Sequence, residues 1–576
     1  MMKRFFTFFC LSALLAEVFA LPVDSSAARV IAEKTLNKGR GVKVEAVPFQ
    51  FSSKAKARVA AYAPQTASQT SPAYYLFNAS DGNGFAIVAG EDQLPEVFGY
   101  STTGNLNATD EIPEGLAVML GMYEEYVEAV RKGKAKLPAE NAQPASASLP
   151  SFVAPLLKTK WGQGSPFNLL CPKSGNKTVP CGCVATAMSQ VMYYWKHPAQ
   201  GKGYITYNSG EIGGVRTKDL SESYYDWSVM GLDAASNSSA EAKQAVSTLC
   251  YDCGISVAMV YNPSGSGAYS ENAMRAFAGN FSYRASTLRH LERAYHSSDS
   301  AWLEVVKSEL AAGRPVMFGA QSNGGSGSDA GGHAFVLDGY DTKGFVHVNW
   351  GWDGSYNSYY DIALLNPGNY EFSVRQACVI GIMPDETGTD TQLAQTPVLM
   401  NNSFFVSKTS LAASSNLPTQ IVNLQNYSML RKTFEIGMGL FDASGNFLEE
   451  ISTSTVDKRT VTLGGNHGDG QIRLASKLPA TYTSGDYILR IVCREEGYED
   501  WIIPYVYGGA EENNLVKIYV EDGVIYFNSF SSAIDALSFS DSKQPVIFDL
   551  QGRRLATDFE LLPHGLYIIQ GKKVWK

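Results

Sequence analysis

The chain has 576 residues, of which 45% are apolar and 18% are charged, and this length predicts three or four domains with separate cores. Its 12% aromatic content argues against intrinsic disorder. Because Lys+Arg 47 and Asp+Glu 56 leave a net charge of -9, the chain lacks the basic surplus that binds nucleic acid.

The first 20 residues predict an export signal. Lys3 and Arg4 precede an apolar run at residues 5–15, and Ala20 offers a small residue for cleavage. The run is too short to cross a bilayer and no later apolar stretch reaches about twenty residues, so we expect a soluble, exported protein. A buried N-terminal helix is the alternative. Cleavage would remove Cys10 and leave seven of the eight Cys, an odd number that indicates an unpaired or a working thiol.

Residues 21–150 predict a compact α+β module that ends in a linker. A helix follows the capping residue Asp24, and the turn at residues 81–84 indicates a hairpin. Apolar residues then recur at helical spacing over residues 116–130. The Lys- and Pro-containing stretch after residue 131 is typical of an exposed linker that proteases can cleave.

Residues 151–386 contain the candidate nucleophile, Cys183. Pro180 and Gly182 keep a helix from beginning before Cys183, and Pro198 ends it. One face of this helix is apolar through Val184, Ala187, Met188, Val191, Met192 and Trp195. The partial positive charge of a helix N-terminus favours a thiolate there, although a buried core cysteine is the alternative.

Neither a metal nor a cofactor is predicted. Cys181 and Cys183 could form a zinc site with Cys250 and Cys253, but the two-residue spacing at a helix start would splay the ligands. The glycine-rich run at residues 324–332 lacks the Lys-Ser/Thr pair of a phosphate loop and precedes no helix. We expect it to form a mobile rim over a cleft.

His333 is the candidate base. Residues 334–337 and 345–348 are two apolar runs joined by a turn, and a hairpin centred between Asp341 and Thr342 would pair His333 with Trp350. Asn349 would lie beside them, and a one-residue register shift would exchange it with Trp350. The amide could orient the imidazole, and the indole could shield it from water.

A cysteine on a helix, followed by a distant histidine on a strand, is typical of a thiol hydrolase. The thiolate attacks a carbonyl and the imidazole gives its proton to the leaving amine. Gln163, in the loop at residues 161–166, is the candidate oxyanion donor together with the backbone N–H of Cys183, at about 3 kcal/mol per donor. A surface loop glutamine is the alternative.

The C-terminal part is rich in β-structure. Alternating short runs over residues 395–515 predict a β-sandwich, and residues 516–576 repeat the same pattern. These modules carry no cluster of titratable groups, so we expect a structural or adhesive role for them.

Three motifs resemble the streptopain family of cysteine peptidases, and within it the interpain-like enzymes of Bacteroidota. They are residues 180–195 (PCGCVATAMSQVMYYW), residues 331–339 (GGHAFVLDG) and residues 347–352 (HVNWGW). The resemblance spans about residues 21–384. The C-terminal residues resemble a type IX secretion sorting domain, which implies export across an outer membrane; one more β-sandwich is the alternative.

The resemblance implies an α+β architecture: a papain-like catalytic domain at residues 151–386, preceded by a pro-domain at 21–150 and followed by β-sandwich modules. It implies that Cys183 is the nucleophile, that His333 is the general base and acid, and that Gln163 donates to the oxyanion. Trp350 occupies the position where papain-type enzymes have an orienting Asn, and Asn349 is the fallback for that role. Cys181 departs from the family pattern, and its oxidation onto a neighbour such as Cys171 would tether the active loop.

We therefore expect a secreted, self-processing cysteine endopeptidase that acts on proteins and peptides. The pro-domain would hold His333 away from Cys183 until it is removed, and the C-terminal domain would engage the secretion machinery. One alternative is a surface adhesin with an inert papain-like domain. Another is a thiol transferase that makes isopeptide bonds.

Overall fold

The protein is described here by a computed structural model. The described residues are 21–37, 41–47, 72–106, 112–133, 149–293, 296, 299–322, 332–362, 374–390, 393, 395, 398–400, 403–425, 432–453, 459–463, 468–506, 511–528 and four short strands between 547 and 575. The predicted export signal, the greater part of the linker and all but the last residue of the glycine-rich run lie outside them. Within the described residues, no helix combines the length and the apolar character needed to cross a membrane.

Seven α-helices are described. They are α1 Ser25–Asn37, α2 Glu114–Arg131, α3 Cys183–Trp195, α4 Gly210–Gly213, α5 Ala240–Ser256, α6 Ser270–Phe281 and α7 Asp299–Ala311, and 3-10 turns lie at Leu220–Glu222 and Glu511–Asn514. The helices predicted after Asp24, over residues 116–130 and from Cys183 are all present. The sequence predicted an α+β class, and the structure confirms that the chain combines α-helices with β-sheets.

The strands of the first two thirds of the chain form one large sheet and two short hairpins. The large sheet has ten strands, in the order β1-β2-β3-β4-β13-β12-β11-β10-β14-β9. Its strands are β1 Val44–Ala46, β2 Tyr74–Ala79, β3 Phe85–Ala89, β4 Val97–Ser101, β9 Arg289–Glu292, β10 Val316–Ser322, β11 Gly332–Tyr340, β12 Val346–Asn349, β13 Ser358–Tyr360 and β14 Val374–Ile380. The hairpins are β5 Lys173–Ser174 with β6 Lys177–Thr178, and β7 Tyr204–Asn208 with β8 Val215–Asp219.

The N-terminal module, residues 21–131, shares its sheet with the central segment. Strand β4 pairs antiparallel with β13, and Tyr100 lies opposite Tyr359. The Tyr100 hydroxyl donates to Asp341 Oδ2 at 2.7 Å, and burial together with this bond raises the pKa of Tyr100 above its usual value. One hydrophobic core contains side chains of both parts, including Leu116 of α2 and Trp350. The two parts are therefore packed as one folded body.

A second core lies around α3. Helices α3, α5 and α6 pack there against residues of the large sheet such as Val336 and Met317. Helix α3 begins at Cys183 because Gly182 has a φ of +93° and no room for a side chain: an added Cβ would lie 2.6 Å from Met259 Sδ. A residue other than glycine would be strained there. The nucleophile candidate is thus carried by a rigidly packed helix.

The C-terminal part contains three further sheets. A four-stranded sheet has the order β21-β17-β15-β23, and a seven-stranded sheet contains β16, β25, β24, β22, β18, β19 and β20. The strands are β15 Leu399–Met400, β16 Ser410–Ala412, β17 Gln420–Gln425, β18 Lys432–Asp442, β19 Phe447–Glu450, β20 Arg459–Leu463, β21 Gly468–Leu474, β22 Gly485–Glu495, β23 Tyr505–Val506, β24 Val516–Glu521 and β25 Val524–Phe527. A last sheet joins β26 Ile547–Phe548, β27 Arg554–Leu555, β28 Leu566–Ile569 and β29 Lys572–Trp575.

The C-terminal module that was predicted for residues 395–515 extends beyond residue 515. Strand β24 pairs with β22 over five residues, and β25 pairs with both β24 and β16. Ile518 and Ile525 contribute to the same core as Val398 and Leu440. Since the two strands supply apolar side chains to this core, they belong with the module that precedes them.

Candidate active site

Cys183 differs from every other described cysteine in its exposure. All seven described cysteines are free thiols, six of them are buried, and Cys183 alone is half-buried. Burial raises the pKa of Cys253 and of Cys171, which makes these thiols poor nucleophiles at neutral pH. No side chain caps the N-terminus of α3, so its first N–H groups are left for another acceptor. Among the described cysteines, the only accessible thiol therefore lies at an uncapped helix N-terminus.

His333 lies on β11 and is 3% exposed. Its Nε2 lies 3.3 Å from the carbonyl oxygen of Trp350, and its ring stacks near Phe335. The Trp350 indole is fully buried and donates from Nε1 to the carbonyl of Tyr356 at 3.0 Å. The structure thus brings His333 and Trp350 into contact.

The hairpin register that predicted this contact was wrong. Val336 lies opposite Asn349, and the register shifts at a bulge between Leu337 and Gly339. The bulge residue, Asp338, is fully buried, and its carboxylate accepts from the backbone N–H of Leu157 and lies 2.6 Å from His347 Nδ1. A bulge adds a residue to one strand, which turns its side chain away from the expected partner. His333 reaches Trp350 through the ring nitrogen rather than by direct pairing.

Gln163 lies in a loop that is tied to the entrance of α3. Its carbonyl oxygen accepts from the backbone N–H of Cys181 at 3.0 Å, only two residues before Cys183. The neighbouring Gly162 lies against Asp353, because an added Cβ would come within 2.4 Å of that carboxylate. Burial raises the pKa of Asp353. The loop is therefore held on both sides, and the half-buried Gln163 side chain extends from it.

Asn349 makes its hydrogen bonds away from His333. Its Nδ2 donates to the carbonyl of Thr159 at 2.8 Å. Its Oδ1 accepts from Gln190 Nε2 at 3.2 Å and from the backbone N–H of Gly351 at 3.1 Å. These bonds do not orient the imidazole, which was the fallback role for Asn349. They join three chain segments instead.

Two features of the site were missed in the sequence. Gln190, a polar residue seven positions after Cys183 and therefore on the same side of the helix, could have been noticed by that spacing. Gly115 of α2 could not. An added Cβ at Gly115 would lie 2.6 Å from His333 Cδ2 and 2.7 Å from Trp350 Cζ3. The N-terminal turn of α2 is thus packed directly against both side chains.

Cys181 is fully buried beneath the site. Its sulfur lies 3.2 Å from Thr186 Oγ1, and an interaction with the Cys250 thiol lowers its pKa. Both thiols, like that of Cys171, are unpaired in the structure. Among the residues that the structure describes, no group of His, Cys, Asp and Glu side chains could hold a metal ion.

Two family profiles match the chain. The profile of the Peptidase C10 family matches residues 161–360, and that of the Spi protease inhibitor matches residues 20–127. Streptopain from Streptococcus pyogenes is 35% identical over 336 residues, which are 54% of this chain and 80% of streptopain.

Two further proteins are similar. Thiol protease/hemagglutinin PrtT from Porphyromonas gingivalis is 35% identical over 405 residues, which are 66% of this chain; the match spans only 44% of the length of PrtT. A solved fragment of prointerpain A from Prevotella intermedia is 35% identical, and the match covers 55% of this chain and 98% of the fragment with a TM-score of 0.48.

Proposed function

The chain belongs to the peptidase C10 family of cysteine peptidases, and from that membership we propose that it is a secreted endopeptidase made as a self-processing zymogen. Cys183 is its nucleophile, His333 its general base and acid, and Gln163 an oxyanion donor. The N-terminal module is its inhibitor, in keeping with the match of residues 20–127 to the Spi protease inhibitor. The substrates are proteins and peptides.

One observation carries this assignment: Cys183 is the only described thiol that is accessible, and it begins a packed helix with uncapped N–H groups. The test is incubation of the self-processed protein with an epoxide thiol inhibitor. We expect one adduct, on Cys183, and loss of peptide hydrolysis in proportion to the adduct. Absence of an adduct after removal of the N-terminal module would favour an adhesin with an inert domain, and isopeptide products would favour a transferase.

The reaction is proposed to follow the course of thiol proteases. The Cys183 thiolate attacks the peptide carbonyl carbon, and the carbonyl π electrons move to the oxygen, which becomes an oxyanion. Gln163 and the backbone N–H of Cys183 donate to it; each such donor is worth about 3 kcal/mol. Protonated His333 gives its proton to the leaving amine as the C–N bond breaks. Water, deprotonated by His333, then hydrolyses the thioester and restores the thiol.

Trp350 and Asn349 support this chemistry indirectly. The buried Trp350 indole covers one side of the site, and its backbone oxygen bonds His333. Asn349 holds the following residue, Trp350, in place through its bonds to Thr159 and Gln190. We assign a shielding and orienting role to Trp350 and a structural role to Asn349.

The N-terminal module is proposed to inhibit by contact with the histidine. Gly115 lies against His333 and Trp350, and β4 extends the sheet that carries His333. Tyr123 of α2 donates to the carbonyl oxygens of Phe98 and Asp361 at 2.8 and 2.9 Å, which fixes the helix over the central segment. As long as the helix is docked, the side chain of His333 is confined.

A single methyl group on α2 should therefore weaken the inhibition. Gly115→Ala places a Cβ within 2.8 Å of two buried rings. Overpacking of this kind costs about 1–3 kcal/mol, so we expect docking to weaken by about 5- to 150-fold. A time course of self-processing measures the effect, and the variant should mature faster than the wild type.

The matched control for this variant is Gly279→Ala. Gly279 also lies in a helix, α6, but nothing lies within 4 Å of its added Cβ, so the same change should leave maturation at the wild-type rate. Equal rates of maturation in Gly115→Ala and the wild type would contradict inhibition through this contact.

Export and sorting are the last part of the proposal. Residues 1–20 have the charge and apolar pattern of an export signal. The short antiparallel sheet of β26–β29 lies in the segment whose sequence resembles a type IX sorting domain. Secretion or surface attachment follows from these two patterns, with the secretion machinery as partner.

A further inference from the structure

We infer that Gln190 is a positioning residue for catalysis, because its side-chain amide fastens together the three segments that carry the nucleophile, the oxyanion donor and the histidine contact. This inference rests on the proposed function. It concerns a residue that lies inside the protein, touches no substrate and acts only through the segments it joins.

The side-chain amide of Gln190 makes the first two connections, one through its oxygen and one through its nitrogen. Gln190 lies on α3, two turns after Cys183, and is 0% exposed. Its Oε1 accepts from Thr159 Oγ1 at 2.8 Å, and the backbone N–H of Trp161 points to the same oxygen at 3.4 Å. Because Trp161 lies two residues before Gln163, these bonds join α3 to the loop that carries the oxyanion donor. Gln190 Nε2 donates to Asn349 Oδ1 at 3.2 Å, and Asn349 directly precedes Trp350 in the sequence.

A third connection closes the arrangement into a ring. Asn349 Nδ2 donates to the carbonyl of Thr159 at 2.8 Å, so the segments of Gln163 and Trp350 are also bonded to each other. Thr159 and Asn349 are 3% and 2% exposed, which places the whole ring away from water. We call Thr159, Gln190 and Asn349 the amide ring. A buried network in which every member is bonded fixes one geometry more tightly than apolar packing does.

The loop after Asn349 has no freedom to compensate for a loss of these bonds. Gly351 has a φ of +65°, and an added Cβ would lie 2.9 Å from Thr186 Cγ2 of α3. Its N–H donates to Asn349 Oδ1. Between these fixed points lies Trp350, whose carbonyl oxygen contacts His333 Nε2. A shift of Asn349 would therefore move the carbonyl group that holds the imidazole.

The amide ring also explains why a polar residue is present at this position. Eight other residues of α3 are buried, and an apolar side chain of the same length, such as Met, would fill the space of Gln190. Replacing every member of a buried polar network by apolar residues is often neutral for stability. Gln190→Met alone leaves the buried Thr159 hydroxyl without this acceptor, which is destabilising. What Met cannot do is set the distance between α3 and the two loops. We therefore expect a small loss of stability, together with a loss of rate in the folded enzyme that the loss of stability does not explain.

The test compares three variants with the wild type. Each is produced as the full chain and allowed to process itself, and its active thiol is then titrated with an epoxide inhibitor. Gln190→Met and Thr159→Val should each lower kcat by about 10- to 100-fold, the range expected when a catalytic group is misplaced by about 1 Å. KM and the melting temperature should remain within about twofold and a few degrees of the wild type. The double variant should lose no more than the worse single variant, because both break the same ring.

Ser189→Ala is the matched control. Ser189 is the neighbouring buried residue on α3, and its hydroxyl donates to the carbonyl of Ala185 within the same helix at 2.7 Å. It should keep the wild-type kcat. Unchanged kcat in both ring variants would overturn the inference, as would losses of activity that follow a falling melting temperature. A wild-type protein without any Cys183 adduct would instead overturn the proposed function.

Discussion

Cys183→Ala is expected to remain a full-length chain under conditions in which the wild type shortens. Without the sulfur no covalent intermediate forms, and single losses of a catalytic nucleophile cost at least about 10⁴-fold in kcat. Peptide hydrolysis should fall to the background of the assay. N-terminal mapping of both proteins after equal incubation measures the result, and the wild type should acquire a new N-terminus in the linker after residue 131.

The control for this experiment is Cys493→Ala. Cys493 is also a free thiol, but it is buried in the core of the first C-terminal module and burial raises its pKa. The same loss of a sulfur atom should leave processing intact there. Shortening of purified Cys183→Ala at the wild-type rate would contradict self-processing and point to another protease. A wild-type chain that never shortens would contradict the zymogen proposal.

Features of the site that depend on neighbouring residues could be predicted from the sequence, and features that depend on residues far apart in the chain could not. The start of α3 follows from local chemistry, because Pro180 and Gly182 exclude an earlier start and one face of the next thirteen residues is apolar. The hairpin that carries His333 was also evident from two apolar runs and a turn. Its register was not, because the bulge at Asp338 is stabilised by Leu157, which lies 181 positions away.

The continuous sheet could not be predicted for the same reason. Strands β4 and β13 are each short, and their pairing is completed by a hydrogen bond from Ser358 to the carbonyl of Tyr100, 258 positions earlier. Alternation of apolar and polar residues predicts that a strand exists and gives no partner for it. The contact of Gly115 with the histidine follows from this docking, so it too was invisible in the sequence.

The amide ring shows a further limit of pattern reasoning. Asn349 was the fallback for orienting the imidazole, because a one-residue register shift would exchange it with Trp350. In a strand, neighbouring side chains point to opposite faces, so a residue beside the correct one is directed elsewhere. Its amide meets Gln190 and Thr159, and the sequence shows no relation among these three positions.

His333→Ala should prevent detectable self-processing and lower kcat/KM for peptide hydrolysis by about 10³- to 10⁴-fold. The variant lacks the group that protonates the leaving amine and later activates water, and general acid–base catalysis contributes about 10²- to 10⁴-fold. The remaining loss reflects a thiol that no longer has an imidazolium partner. Hydrolysis of a peptide substrate after removal of the N-terminal module by an added protease measures the effect.

His347→Ala separates the role of His333 from a general effect of removing a histidine in this sheet. His347 lies on the adjacent strand β12, and its Nδ1 lies 2.6 Å from Asp338 Oδ1, so its loss leaves the buried carboxylate with the backbone N–H of Leu157 alone. We expect reduced stability, by about 1–3 kcal/mol for the lost hydrogen-bond partner, and a normal kcat in the folded fraction. The reverse pattern, an active His333→Ala and an inactive but folded His347→Ala, would move the catalytic base to His347. Because His333, and not His347, contacts Trp350 and Gly115, the geometry favours His333 as the base.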